Sequence, residues 1–105
     1  MLDLKPPDEK AILALLDQYA PSAEIWAFGS RVTGGAHAAS DLDLAIRNQP
    51  DPDVPHQHIN ALQRALAESD VTILVDVVDW ATIPENFRRE IERAYRVVRL
   101  PDAAA

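Results

Sequence analysis

The apolar residues of this chain switch period repeatedly, and that switching limits what it can fold into. Ile12, Leu15, Leu16 and Tyr19 recur at i, i+3, i+4 and i+7, which is one stripe of a helix. Glu24–Phe28 and Leu42–Arg47 are short β-rich runs. Ile59, Leu62 and Leu66 return to helical spacing, and Val71–Val78 is the strongest strand candidate, rich in Val and Ile. Phe87, Ile91, Ala94 and Tyr95 mark a third helical stripe. The order α-β-turn-β-α-β-α predicts an α/β (α+β) fold, a small mixed sheet of three or four strands with helices packed on one face. A length of 105 residues predicts one domain over 1–105, with a frayed tail at 101–105.

Breakers and caps set the predicted boundaries. Pro6, Pro7, Asp8 and Glu9 start the first helix, prolines at the entry and acids in the first turn, and Pro21 ends it. Gly34-Gly35 marks a loop. Asn48–Pro55, with three prolines and two aspartates, is a connection, and the second helix begins near Pro55. Thr82-Ile-Pro-Glu85 has capping-box spacing and is expected to open a third helix reaching Arg99.

Charge and composition exclude several classes of function. The net charge is −7, so no direct nucleic-acid partner is expected, because affinity for a phosphate backbone comes from Lys and Arg. No cysteine is present, which removes disulfides, thiol catalysis and Cys-type zinc sites. The first residues lack the basic flank and apolar run of a signal peptide. No apolar stretch approaches the roughly 18–20 residues that span a bilayer. The expectation is a soluble, cytoplasmic protein with no membrane partner. Residues 1–83 carry five basic and thirteen acidic side chains, whereas 84–105 carry five arginines and four acids. The arginine-bearing last helix is thus the basic surface of an acidic molecule.

Aspartates stand where strand propensity disfavours them. Asp41-Leu-Asp43-Leu-Ala-Ile places Asp41, Asp43 and Ala45 on one strand face, with the two carboxylates' Cα atoms roughly 6.5–7 Å apart. Without a cation they would repel, and one would be pushed toward protonation. Asp76 interrupts Ile73-Leu-Val-Asp-Val-Val78, and a lone buried carboxylate there needs a cation or hydrogen bonds. If the two strands pair in register, three carboxylates point into one site, a hard oxygen set suited to Mg²⁺ or Mn²⁺. Gly29-Ser30 follows a strand directly. A glycine lets the backbone approach a ligand, the following N–H groups and the Ser30 hydroxyl can hold phosphate oxygens, and Arg31 adds a bidentate cation.

Other residues read as structural. His56 and His58, at i, i+2 on a helix, do not share a face and read as solvated. Asp51-Pro-Asp53 lacks the further ligands of an EF-hand loop. Trp26 and Trp80 read as core or rim, and Asp79 as a cap or turn residue. Ser40 shapes the approach to Asp41.

Gly29-Ser30, ten intervening residues, then Asp41-x-Asp43 resembles the Gly-Ser-x10-Asp-x-Asp signature of minimal nucleotidyltransferase (MNT) domains in the polymerase-beta-like superfamily. The later Val-Asp-Val-Val-Asp strand resembles that family too, and the likeness runs from the first helix to the arginine-rich last one. It implies transfer of a nucleoside monophosphate, AMP from ATP, to a hydroxyl with pyrophosphate leaving. Asp41 and Asp43 would ligate the metals holding the triphosphate, and Asp76 the metal nearer the acceptor oxygen, which it would help deprotonate. Gly29, Ser30, Arg31 and Ser40 would contact the nucleotide. The resemblance further implies a toxin–antitoxin pair, a hetero-oligomer in which the MNT protein adenylylates a tyrosine of a HEPN-domain toxin. Because the last helix alone is basic, Arg89, Arg93 and Arg96 are the expected docking residues. The alternatives are an antitoxin that acts by contact alone, or a nucleotide sensor.

Overall fold

In a computed structural model, which describes residues 4–34 and 41–100, eight elements follow one another. They are α1 (Pro6–Tyr19), β1 (Glu24–Phe28), α2 (Ser30–Thr33), β2 (Leu42–Arg47), α3 (Ile59–Glu68), β3 (Val75–Asp79), α4 (Glu85–Arg93) and β4 (Arg96–Arg99). The strands form one sheet in the order β3-β2-β1-β4. β1 runs antiparallel to both neighbours, while β2 and β3 are parallel, as a β-strand joined to the next by a crossover helix requires. The sheet is therefore small and mixed, as predicted.

Alternation along the strands sorts the two faces. Ile25 and Ala27, Leu42, Leu44 and Ile46, and Val75 and Val77 point to the side covered by α1 and α3, where they meet Ile12, Leu16, Leu62 and Leu66 in the main core. Trp26, Ala45 and Trp80 on the opposite side join Ile91 in a smaller cluster, with Phe28, Val78, Ile83 and Phe87 around it. By the same parity Asp43 and Asp76 belong to this second, thinly covered face. The main core stabilises the sheet, and the other face is left for chemistry.

Several boundaries differ from the sequence expectation. Residues 71–74 are not strand. Asp8 of α1 accepts hydrogen bonds from the Thr72 amide (3.0 Å) and hydroxyl (2.5 Å), so Thr72 is tied to a helix, and the ladder to β2 begins at the Leu74 carbonyl, which accepts the Leu42 amide at 2.9 Å. Thr72 also holds the Asp8 carboxyl below its usual range, hydroxyl first and amide second, with Lys5 and Arg31 assisting against the opposing effect of burial. The predicted capping box does not form. Thr82 donates its hydroxyl to the Asp79 carbonyl at 3.1 Å, and Pro84 occupies the N-cap position. The helix expected to reach Arg99 ends at Arg93, and residues 96–99 form an edge strand instead. Tyr95 stacks on Trp26 with ring centroids 3.9 Å apart. The β-branched pair Val97-Val98 suits a strand better than a helix, and Val98 packs on the main core.

α3 starts at Ile59 rather than near Pro55, because Asp79 takes the His56 amide (2.8 Å) and holds the preceding segment in turns. Ser40, Gly35 and the predicted frayed tail at 101–105 lie outside the described residues. Among the described residues no helix is long and apolar enough to cross a membrane.

Candidate active site

Parallel pairing of β2 with β3 sets Asp43 directly opposite Asp76, across an interstrand spacing of about 4.8 Å. The same Asp43 pairs on its other side with Phe28, the last residue of β1. Gly29 follows with φ +81°, and a Cβ built there would stand 2.5 Å from Asp43 Oδ2. Only glycine lets the chain turn into α2 while a carboxylate occupies that space. Asp43 is thus wedged between a glycine turn and a second carboxylate.

Electrostatics record the crowding. Burial raises the Asp43 carboxyl above its usual range, and the charges of Asp76 and Asp41 raise it further. Asp41 stands exposed just before β2, whose bounds Leu42–Arg47 are those expected, so the strand face it is expected to share with Asp43 does not extend to it. Asp76 lies in β3 but is exposed, not buried. β3 is the outermost strand on that side, and among the described residues α4 reaches that face of it at Val78 and leaves Asp76 exposed, whereas α3 covers Val75 and Val77. Among the described residues no three carboxylates or histidines stand close enough together to enclose a metal ion by themselves. The donor chemistry nevertheless fits a hard divalent cation. Two opposed carboxylates, of which Asp43 has its pKa raised by burial and by its neighbours' charges, gain from one, and the remaining positions suit phosphate oxygens.

Ser30 opens α2 with its side chain exposed, one residue from Asp43's contact with Gly29. Arg31 is half-buried beside it. A cleft of about 250 Å³ adjoins the turn, lined by Phe28, Gly29, Thr33, Phe87 and Glu90 among others. Phe28 and Phe87 meet edge to face at 5.7 Å. Sequence reasoning singles out neither Thr33 nor Glu90, and it reads Phe87 as core. The strand parity of Phe28 and the helical phase of Phe87 and Glu90 are the available signals. A larger cavity of about 350 Å³ lies at the other end of the sheet near Tyr19, Asn48 and His56, remote from the Gly29 turn.

The histidines precede α3 rather than lying on it. His56 is half-buried, its ring nitrogen Nδ1 accepts the His58 amide at 3.0 Å, and burial lowers its pKa. Asp79 is buried and accepts the amides of His56 and Ala81 (3.2 Å), a turn-forming role. Trp26 and Trp80 are buried against each other, with the Arg47 guanidinium 4.0 Å from the Trp26 ring centre. The five C-terminal arginines divide. Arg88 (side chain 18% exposed) bonds the Trp80 carbonyl and Asp53, and Arg99 bonds Asp17 and the carbonyls of Ala20 and Ala23. Arg89, Arg93 and Arg96 are exposed, and Arg96 lies on β4 rather than on a helix.

A mixed sheet presenting opposed aspartates beside a glycine turn is the framework of a nucleotide-transferring enzyme. Residues 10–102 match the family described as Polymerase beta, Nucleotidyltransferase, and the chain belongs to that family. It is 41% identical over 98 residues to "Probable protein adenylyltransferase MntA" of Haemophilus influenzae, covering 93% of this chain and 84% of that one. The fold is shared with a solved structure described as a toxin-antitoxin with AMP-PNP, at a TM-score of 0.69 and 24% identity over 91% of this chain and 76% of that one.

Proposed function

We propose that this chain is a metal-dependent adenylyltransferase that moves AMP from ATP to a hydroxyl, a tyrosine, of a partner HEPN-domain toxin, and so acts as its antitoxin. The observation that carries the reading is Asp43, fitted against the side-chain-free Gly29 and opposed by Asp76. A purely structural role gives no reason to press two carboxylates together on a thinly covered face. The adenylyltransferase name of the Haemophilus influenzae relative and the AMP-PNP complex of the fold relative support the choice of nucleotide.

Asp41 and Asp43 would hold Mg²⁺ at the triphosphate, with Asp76 on the acceptor side. Bound there, the metal would supply charge neutralisation of the phosphates and of the attacking and leaving oxygens. Gly29 allows the backbone close to the triphosphate, and the Ser30 hydroxyl donates to its oxygens. Arg31 adds positive charge, and Ser40 completes the nucleotide contacts. The acceptor oxygen forms a bond to the α-phosphorus while the bond to the bridging oxygen breaks, releasing pyrophosphate. Asp76 takes the hydroxyl proton. The toxin itself brings the hydroxyl into line, docked on the exposed Arg89, Arg93 and Arg96.

Incubation with ATP, Mg²⁺ and the co-purified toxin, followed by mass spectrometry of the toxin, tests this reading. The expected result is an AMP adduct on a tyrosine that is lost with Asp41→Asn. Neutralisation of the toxin without any adduct would instead support an antitoxin acting by contact.

A further inference from the structure

The two edges of the sheet are treated differently. At the β3 edge, Gln63 of α3 donates its side-chain amide to the Val75 carbonyl (2.7 Å) and accepts the Val77 amide (2.9 Å). A side chain there stands in for the peptide of a neighbouring strand, so that edge is closed to another chain. Along β4, at the opposite edge, no group among the described residues plays that part.

β4 is short and bears an arginine at each end, which blunts it against like-charged edges, but exposed apolar side chains lie in and beside it. Tyr95, Val97 and Leu100 are 40%, 43% and 68% exposed, and they make up three of the five large apolar side chains exposed among the described residues. Arg96 lies within the strand. Arg89 and Arg93, one turn apart on α4, share a helix face, whereas Glu90 lines the cleft by Gly29. The Arg89 side chain is 72% exposed and makes an i, i+4 contact with Glu85 at 3.5 Å.

We infer that the outer edge of β4 accepts an acidic extended segment of a partner protein as a fifth strand, with Tyr95, Val97 and Leu100 receiving its apolar side chains and Arg93 and Arg96 its carboxylates. Strand addition supplies main-chain hydrogen bonds, and the flanking side chains supply selectivity. Charge chooses the occupant. A second copy docked edge to edge would bring the arginines of two β4 strands together and join two bodies of net charge −7, whereas an acidic segment meets the arginines with opposite sign. The inference rests on the partner reading above for the identity of the protein that supplies the segment.

Hydrogen exchange of the full chain, alone and in complex with the co-purified toxin, tests it. Those amides of 95–100 that point away from β1 should exchange rapidly in the free chain and become protected in the complex. Arg93→Glu combined with Arg96→Glu should weaken toxin binding by roughly tenfold or more, with the ATP-dependent melting shift intact. Raised salt should weaken wild-type binding. A complex that leaves β4 unprotected and is indifferent to these charges overturns this inference alone. A wild-type chain that dimerises through β4 replaces the occupant with a second copy and overturns it too. Failure of the wild-type chain to bind the toxin at all overturns the antitoxin reading and this inference together.

Discussion

Gly29 and Asp43 are bound by exclusion: the space a Cβ would fill on Gly29 is held by Asp43 Oδ2. Alanine at 29 must displace that carboxylate and adopt a φ of +81° that side-chain-bearing residues resist. Backbone strain of this kind costs about 1–3 kcal/mol. Gly29→Ala is therefore expected to lower the melting temperature by several degrees and to cut AMP transfer more than the stability loss explains. Calorimetry and single-turnover kinetics on the same preparation check it, and an alanine variant with wild-type transfer would refute the coupling.

Asp43 is a group whose folded-state pKa is raised, by burial first and then by Asp76 and Asp41. Its protonated form is favoured in the native state, so stability from this site is full below the unfolded value of about 3.9 and is lost as pH rises through the raised one. Near neutral pH the ionised side chain strains the fold. Asp43→Asn should leave the unliganded melting point unchanged or higher at about pH 7, while abolishing the joint stabilisation by Mg²⁺ and ATP. Thermal shifts with ATP, Mg²⁺, both, and EDTA decide it; equal stabilisation by ATP in EDTA would count against a metal at this site.

Asp76 is exposed where Asp43 is half-buried, which suits a group that meets the acceptor rather than the triphosphate. Asp76→Asn should retain most ATP affinity and lower transfer by about 10²-fold or more, the usual contribution of a general base. Binding measured by calorimetry and transfer measured by mass spectrometry separate the two. Parallel losses in both would move Asp76 to the triphosphate side.

The bond between Asp8 and Thr72 carries its own pH signature. The Asp8 carboxyl is depressed, chiefly by the Thr72 hydroxyl and then by the Thr72 amide. Its contribution is present above the unfolded value of about 3.9 and is lost as pH falls through the lower folded one. Thr72→Val should therefore destabilise the protein near neutral pH, with the gap to wild type narrowing as pH falls below about 3.9. Urea titrations at several pH values measure this, and a gap independent of pH would show that Asp8 is not involved.

Gln63 closes the β3 edge through two hydrogen bonds, each worth about 0.5–1.5 kcal/mol net. Gln63→Ala should lower stability by about 1–3 kcal/mol on that basis and promote self-association through the opened edge. Denaturant unfolding and light scattering report the two effects separately.

The legible part of the sequence is local. The α1 stripe, the β1 and β2 runs, and the spacing from Gly29-Ser30 to Asp41-x-Asp43 are short-range patterns, each readable within about one element's length. They suffice to place the chain in its family. The misread segments are decided by distant partners. Thr72 is held 64 residues away by Asp8, and Tyr95 leaves helical phase to stack on Trp26. Asp79 accepts an amide 23 residues back in the chain.

The sequence by itself determined which side chains share a strand face, because that period is two whatever the surroundings. It therefore put Asp43 with Ala45 and Asp76 with Val78. Only the tertiary structure decided that Asp43 stands opposite Asp76, that Asp41 falls outside the strand, and that Gly29 closes against the same carboxylate. Register between strands separated by a helix depends on how that helix packs on the sheet. Packing joins residues far apart in the chain, and no local pattern encodes it.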